Sequence, residues 1–349
     1  MKTLKQLIPI LTFLGALPIF AQYTEVINSN RPGMSRSAFS VGTNVLQFEV
    51  GPYYVKEERT PQPRREVSGY GIDFSARYGL LLEELEVNIE GNYQNDTETL
   101  FSGFVADERP RSNFKYLTLG AKYLIYDPYK KAADEKPNLY SWKANHSFKW
   151  KSLIPAVSVY VGGNYDFKDN PYTAGGIEGF SPKVMVATQN NFNGGWVFVM
   201  NLIKDRIGTD QSDFTYILTL THALNERWVI FGETQGIKSD FYADNLLRFG
   251  GAYLWDKNFQ LDTAVTFNTK DTPSVLNLTL GASYRFDFHQ DKEIDNDNTA
   301  KDELERKNRA DKPKKKKQKK AKRKKRKNDD ETEEKKAKKQ KREDEDFDD

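Results

Sequence analysis

Charged side chains stand at alternate positions inside otherwise apolar stretches of this chain, where they could pair with one another or line a water-filled path. The candidates are Glu49, Asp73, Arg77, Glu86, Glu90, Asp262, Arg285 and Asp287. An Arg or Lys facing lipid at the middle of a bilayer would cost about 2–4 kcal/mol, so such groups must face water or each other. Two interpretations stay open. The charges either pair across strands and fill a narrow lumen, or they line a route and set its charge selectivity.

Catalytic chemistry has few candidates in this sequence. The 349 residues include no cysteine and three histidines, His146, His222 and His289. The lack of cysteine excludes a disulfide framework, thiol catalysis and cysteine-ligated metals. An enzyme acting on lipid would need a nucleophile and a base, and no histidine stands in a recognisable Ser–His–acid spacing. We therefore predict that the protein is not an enzyme and needs no cofactor or metal.

The stretches that carry the charges alternate between apolar and polar residues. In the clearest case Leu276, Leu278 and Leu280 share one face, and Asn277 and Thr279 share the other. A period of two is that of a β-strand and does not fit a helix. Such segments occur near residues 44–56, 67–81, 83–94, 112–126, 153–167, 182–192, 195–204, 212–222, 226–236, 243–255, 258–269 and 275–288.

These segments predict an all-β fold: a transmembrane antiparallel up-and-down β-barrel of about 12 strands over residues 44–289, apolar toward lipid and polar toward the lumen. Connections should then alternate between long and short, and the stretches 56–66, 95–111, 168–181 and 205–211 are long. The connection at 127–152 breaks this rule. A soluble secreted β-sandwich is the alternative, because its strands would alternate in the same way.

The chain begins with the pattern of an export signal. Lys2 and Lys5 precede an apolar stretch at 7–20, and Ala21 offers a small residue before a cleavage point. We predict a signal peptide at 1–21, a periplasmic segment at 22–43, and location in the outer membrane of a Gram-negative bacterium. The apolar stretch is short for a membrane span, which takes about 20 residues, so only a closed barrel could cross a membrane.

The last 60 residues differ from the rest in composition. Residues 290–349 hold 24 Lys and Arg against 19 Asp and Glu. Blocks of this kind are usually disordered and solvated, and export argues against a nucleic-acid partner. An even strand number would place this tail in the periplasm, where it could contact anionic cell-wall polymers. A non-transporting structural barrel with such a tail is the alternative function.

Motifs near both ends of the barrel region resemble a known family. They are Asn30-Arg31-Pro32-Gly33, Ser37-Ala38-Phe39-Ser40-Val41-Gly42, Leu46-Gln47-Phe48-Glu49-Val50-Gly51, Gly250-Gly251-Ala252-Tyr253-Leu254, Asn258-Phe259-Gln260-Leu261-Asp262 and Gly281-Ala282-Ser283-Tyr284-Arg285-Phe286. They are similar to those of an outer-membrane transporter family named for the meta pathway of phenol degradation. The resemblance implies an outer-membrane barrel with membrane lipid and a small solute as partners. The family's name suggests hydrophobic or aromatic solutes, although no residue here specifies one. The 127–152 connection and the charged tail depart from the family pattern.

Overall fold

The computed structural model describes residues 26–60, 62–103, 105–132, 150–240 and 242–288. The predicted signal peptide at 1–21 and the charged tail at 290–349 lie outside the described residues. So do His146 and His289.

Twelve β-strands make up most of the described chain. They are β1 (Val45–Arg59), β2 (Arg64–Gly79), β3 (Leu85–Ser102), β4 (Val105–Tyr126), β5 (Ala156–Asp166), β6 (Gly179–Phe192), β7 (Trp196–Asp205), β8 (Asp213–Ala223), β9 (Trp228–Lys238), β10 (Ala243–Asp256), β11 (Phe259–Asn268) and β12 (Ser274–Asp287). A one-turn helix α1 (Tyr129–Ala132) and a 3₁₀ turn (Trp150–Leu153) belong to the connection between β4 and β5.

The strands form one closed antiparallel barrel. Each strand pairs with its neighbours in the sequence, and β1 pairs with β12 to close the sheet. This confirms the predicted all-β up-and-down barrel and excludes the sandwich, because a sandwich keeps open sheet edges. None of the helices in the described part of the chain is long and apolar enough to cross a membrane.

The side chains are distributed in the opposite way to those of a soluble protein. Outward-facing apolar residues remain exposed, for example Leu119 at 61%, Phe180 at 71% and Leu280 at 66%. The inward positions hold buried polar and charged residues, among them Arg77 and Lys122 at 1% and 2% exposure. Strands that are apolar outside and polar inside are typical of membrane barrels. The inward-facing polar side chains therefore form the core of the barrel, and the candidate site lies among them.

The β3–β4 hairpin is longer than the alternation predicted. The stretch 95–111, predicted as a long loop, is mostly strand, since β3 and β4 stay paired from Asn95 opposite Ser112 to Ser102 opposite Val105. The prediction failed there because most residues of this part of the hairpin are polar on both faces, and its apolar residues cluster at 100–105, so no period of two marks it. The predicted loop at 56–66 is shortened for the same reason, because β1 continues to Arg59 and β2 begins at Arg64. The other strand boundaries agree with the prediction to within a few residues.

Candidate functional site

Residues 26–44, called the N-terminal segment from here on, dip into the barrel. The Ile27 N–H donates to the Lys257 carbonyl at 2.8 Å, and the Asn44 N–H donates to the Gly79 carbonyl at 3.0 Å. Both contacts lie at the turn end of the barrel, where the short connections are. Between them the segment bonds to inward-facing side chains. Residues 26–43, which belong to the segment predicted as periplasmic, therefore lie against the inner wall of the barrel.

A guanidinium–carboxylate cluster holds the first part of the segment. Arg77 on β2 donates to both carboxylate oxygens of Glu86, at 3.0 and 2.9 Å, and to Glu49 at 3.3 Å. The same Nη1 that bonds Glu49 also donates to the carbonyl of Asn28 at 2.9 Å. Glu49 in turn accepts the backbone N–H of Asn30 at 3.2 Å. Three of the predicted charges thus form one buried network, which also makes hydrogen bonds to the backbone of the N-terminal segment.

Lys122 extends this network to the later part of the N-terminal segment, residues 37–41. Its ammonium group lies 3.4 Å from Glu86 and donates to the carbonyls of Ser37 and Phe39 at 3.0 and 2.9 Å. Glu86 also accepts the N–H of Val41 at 3.1 Å. Buried charges are tolerated when every donor and acceptor is satisfied, and here the segment supplies several of the missing partners.

Arg36 and Glu233 fix the deepest part of the segment. The Arg36 guanidinium pairs with Glu90 on β3. On the opposite wall, Glu233 of β9 accepts the N–H groups of Met34 and Ser35 at 3.1 and 3.2 Å. Glu233 also pairs with Arg248. Glu233 is not among the charges predicted from the sequence, because β9 does not alternate clearly between apolar and polar residues.

Arg31 packs against the barrel wall where two glycines face inward. It donates to Asp262 at 3.3 Å from Nε and 3.2 Å from Nη2. A Cβ atom added to Gly51 or to Gly281 would collide with this guanidinium. The two glycines therefore leave the space that Arg31 occupies.

The remaining candidates lie apart from these clusters. Asp73 accepts a hydrogen bond from Asn92 at 2.6 Å and lines a cavity on the loop-end side of the segment. Arg285 is buried and donates to Asn258 at 2.8 Å. Asp287, 3.8 Å from Arg285, lies exposed at the end of β12. Whether the eight candidates line a solute path stays a prediction.

The N-terminal segment separates cavities within the barrel. On the loop-end side, where the longer connections lie, two cavities of about 170 Å³ each share Met34, Tyr116 and Gln235 in their linings. On the turn-end side a cavity of about 220 Å³ borders the segment from Ile27 to Ser37. The N-terminal segment thus lies between the loop-end and turn-end cavities.

The loop between β5 and β6 folds against the β3–β4 hairpin. Tyr172 donates to the Asp96 carboxylate at 3.1 Å, and the Arg111 guanidinium lies 5.3 Å from the Tyr172 ring centroid. Burial, together with the negative charge of Asp96, raises the pKa of Tyr172 above its ordinary value. The hydroxyl therefore stays protonated and acts as a donor that holds this loop over the loop end.

Of the three histidines, only His222 lies within the described residues. Its ring stacks on Trp196 with centroids 4.1 Å apart and planes 20° apart. No group of three or more metal-ligating side chains occurs in the described ranges.

A family model described as "Putative MetA-pathway of phenol degradation" matches residues 29–286. The chain belongs to this family. The matched region runs from the N-terminal segment through almost all of β12, so the segment and the wall that holds it both lie within the family region. No curated protein sequence matches the chain.

Three solved structures are among those to which this chain is similar. An outer-membrane channel from Pseudomonas putida F1 is 10% identical, with 74% of this chain and 100% of that chain covered and a TM-score of 0.47. The TodX monoaromatic hydrocarbon channel, as a deletion mutant, is 11% identical over 72% and 92% of the two chains, with a TM-score of 0.42. The translocator domain of the autotransporter NalP from Neisseria meningitidis is 10% identical over 74% and 90%, with a TM-score of 0.41.

Proposed function

We propose that the protein is an outer-membrane channel for small hydrophobic or aromatic solutes. The observation that carries the proposal is the closed barrel with apolar residues outside and buried charges inside. Such a barrel is stable only when lipid surrounds it. Membership in a family named for phenol degradation supports the solute class. Export by the predicted signal peptide at 1–21 fits the same location.

The cavities limit the size of the solute. Each loop-end cavity has a volume of about 170 Å³. A protein cavity of about 150 Å³ is known to bind benzene. The loop-end cavities therefore have room for a single ring with few substituents, and their linings include polar side chains such as Asp73 and Asn92. Larger oligomeric solutes would require the N-terminal segment to leave the lumen.

The test is uptake by Gram-negative cells that produce the full-length protein, compared with cells that do not. Labelled phenol and toluene are the probes, and a disaccharide is the hydrophilic control. We expect faster uptake of the aromatic probes in producing cells and no change for the disaccharide. Equal uptake of every probe with and without the protein would overturn the proposal.

A structural barrel without transport is the second candidate, and one observation favours it. The guanidinium of Arg77 pairs with the carboxylates of Glu49 and Glu86. These three charges are therefore satisfied by one another and do not face an open aqueous path. In this alternative the charged tail, which lies outside the described residues, would contact anionic cell-wall polymers. Absence of both conductance in planar bilayers and aromatic uptake would support it over the channel.

A further inference from the structure

One of the two loop-end cavities changes from polar to apolar along its wall. It has a volume of about 170 Å³ and is called the Tyr160 cavity from here on. Its lining includes Asn88 of β3 and, farther along the wall, Met185, Ile203 and Ile217 of β6, β7 and β8. Tyr160 of β5 lies between these two groups in the strand order. The cavity therefore has an uncharged polar side and an apolar side.

The polar side is made by Asn88 and Tyr160, and two glycines bring them together. On β4, Gly120 stands opposite Asn88 and also opposite Gly162 of β5. A Cβ atom added to either glycine would collide with the Tyr160 hydroxyl, so the ring of Tyr160 lies across this part of the wall. Neighbouring strands lie about 4.8 Å apart. The hydroxyl that covers Gly120 therefore lies beside the Asn88 side chain.

The two polar atoms on this side are buried and unpaired. Asn88 is 6% exposed and Tyr160 is 2% exposed. Neither the Asn88 Oδ1 atom nor the Tyr160 hydroxyl has a hydrogen-bond partner among the residues that the structure describes. Buried polar groups are nearly always hydrogen-bonded, and both side chains line the cavity. The pair therefore offers one acceptor and one hydroxyl donor to a molecule in the cavity.

Charged side chains also line the Tyr160 cavity, but they are already paired. The cations of Arg36 and Lys183 both pair with the Glu90 carboxylate. Arg206 pairs with Asp166. An anionic ligand would have to displace a buried carboxylate from its cations, and breaking a buried ion pair is strongly unfavourable. The cavity therefore favours a neutral ligand.

We propose that the Tyr160 cavity binds the hydroxyl group of a neutral single-ring phenol through Asn88 and Tyr160. The phenolic O–H donates to Asn88 Oδ1, and the phenolic oxygen accepts the O–H of Tyr160. The ring then lies against Met185 and Ile203, where its apolar surface is removed from water. The proposal rests on the proposed channel function and narrows its solute class from aromatic molecules in general to those that carry a hydroxyl group.

A hydrocarbon of the same size would leave Asn88 and Tyr160 unpaired. A site built to bond a hydroxyl group discriminates against the analogue that lacks it, because the buried polar groups of the site then stay unsatisfied. Toluene should therefore enter the cavity but bind more weakly than phenol. A neutral hydrogen bond changes affinity by up to about tenfold, which sets the size of the effect to look for.

Fluorine NMR titration of the purified full-length protein in detergent tests the proposal. The probes are 4-fluorophenol and 4-fluorotoluene, which carry a hydroxyl or a methyl group on the same ring, and protein-free micelles supply the baseline for partitioning. We expect 4-fluorophenol to bind the unaltered protein several times more tightly than 4-fluorotoluene. Tyr160→Phe and Asn88→Leu should each weaken 4-fluorophenol binding by up to about tenfold. Neither should weaken the binding of 4-fluorotoluene.

The matched control is Tyr53→Phe. Tyr53 is also a buried tyrosine of the inner wall, but it lines the other loop-end cavity. Its hydroxyl lies 2.8 Å from acceptor atoms of both Asn92 and Gln94. We expect Tyr53→Phe to leave the affinity for 4-fluorophenol unchanged. A loss as large as that in Tyr160→Phe would mean that the phenol site is not specific to the Tyr160 cavity, which would overturn the proposal.

Thermal unfolding separates ligand binding from a structural role. Because the Tyr160 hydroxyl has no partner among the described residues, Tyr160→Phe should unfold at the same temperature as the unaltered protein when no probe is present. Added 4-fluorophenol should raise the unfolding temperature of the unaltered protein and should raise that of Tyr160→Phe less. A marked loss of stability in Tyr160→Phe without probe would show that the hydroxyl stabilises the fold, and it would contradict the assignment.

The remaining outcomes distinguish this proposal from the channel function. Equal affinity of the two probes for the unaltered protein, with no effect of Tyr160→Phe, would mean that Asn88 and Tyr160 only hold a water molecule. That result overturns the phenol site and leaves the channel function intact. Toluene uptake by cells that produce the protein tests the channel by itself, because toluene carries no hydroxyl group. Equal toluene and phenol uptake with and without the protein would overturn the channel function, on which the phenol site depends.

Discussion

Asn201 and Arg36 bond to each other in both directions. The side-chain carbonyl of Asn201 accepts the backbone N–H of Arg36 at 2.5 Å, and its amide donates to the Arg36 carbonyl at 2.9 Å. The Asn201 side chain, which points inward from β7, thus bonds both the N–H and the carbonyl of Arg36. In a β-sheet, these two groups would bond to the backbone of a neighbouring strand. These two hydrogen bonds fix the backbone of the N-terminal segment at Arg36 against the inner face of β7.

Replacing Asn201 by Leu should loosen the segment without unfolding the barrel. Leaving two buried backbone groups without partners costs about 1–3 kcal/mol each, so amide exchange should accelerate over residues 34–38. Hydrogen exchange with mass spectrometry measures this. The control is Asn164→Leu, which removes an equally buried amide that bonds to Thr118 and Asp205 and not to the segment. Equal acceleration over 34–38 in both variants would contradict the assignment.

Arg77→Met should strongly destabilise the barrel. It leaves Glu49 and Glu86 buried with one cation fewer, and breaking a buried ion pair by removing one partner costs about 3–5 kcal/mol. The free energy of unfolding in urea, measured with lipid vesicles, gives the value. The double variant Arg77→Met/Glu49→Gln should recover part of the loss, because Glu49 is the carboxylate that loses its cation, whereas Glu86 keeps Lys122 at 3.4 Å. A double variant that is no more stable than Arg77→Met would argue against the pairing.

Gly281→Ala should destabilise the barrel through Arg31 and Asp262. The added methyl group collides with the guanidinium and with the Asp262 carboxylate, and overpacking of this kind costs about 1–3 kcal/mol. Combining it with Arg31→Ala should remove part of the cost, because the contact with Asp262 remains. Gly175→Ala is the control, since a Cβ atom there has no neighbour within 4 Å. Thermal unfolding, followed by the shift in electrophoretic mobility of heated samples, ranks the four proteins.

Removing residues 291–349 should leave barrel assembly and aromatic uptake unchanged. All twelve strands end before this point, with β12 finishing at Asp287. Membrane fractionation and the uptake assay test the truncated chain against the full-length one. Loss of insertion would show that the charged tail takes part in assembly. Loss of uptake alone would assign the tail a role in transport.

The strands could be predicted where their two faces meet different surroundings. β11 and β12 alternate clearly, because one face meets apolar surroundings and the other the polar lumen. The β3–β4 extension was missed because residues 95–111 are mostly polar on both faces, with their apolar residues clustered at 100–105. Glu233 was missed because β9 has no clear alternation to mark its inward face.

The partners of the predicted charges could not be found from the sequence. Glu49 and Asp262 stand out as charged residues on alternating strands. Their partners, Asn30 and Arg31, lie in a segment with no regular secondary structure and no period. Only the folded chain shows that this segment returns into the barrel and supplies the missing hydrogen-bond donors.

The segment enters and leaves the lumen at the same mouth, since Ile27 and Asn44 both bond to turns at that end. The segment is therefore a loop, which can be pulled out of the lumen without threading a chain end through the barrel. Tension applied to the chain ahead of Ile27 would withdraw it while every strand stays paired. The carboxylates and cations left behind would then meet incoming water, which offsets part of the lost attraction by hydrating them. Withdrawal of the N-terminal segment is therefore reversible, because it requires no break in the strand pairing of the barrel.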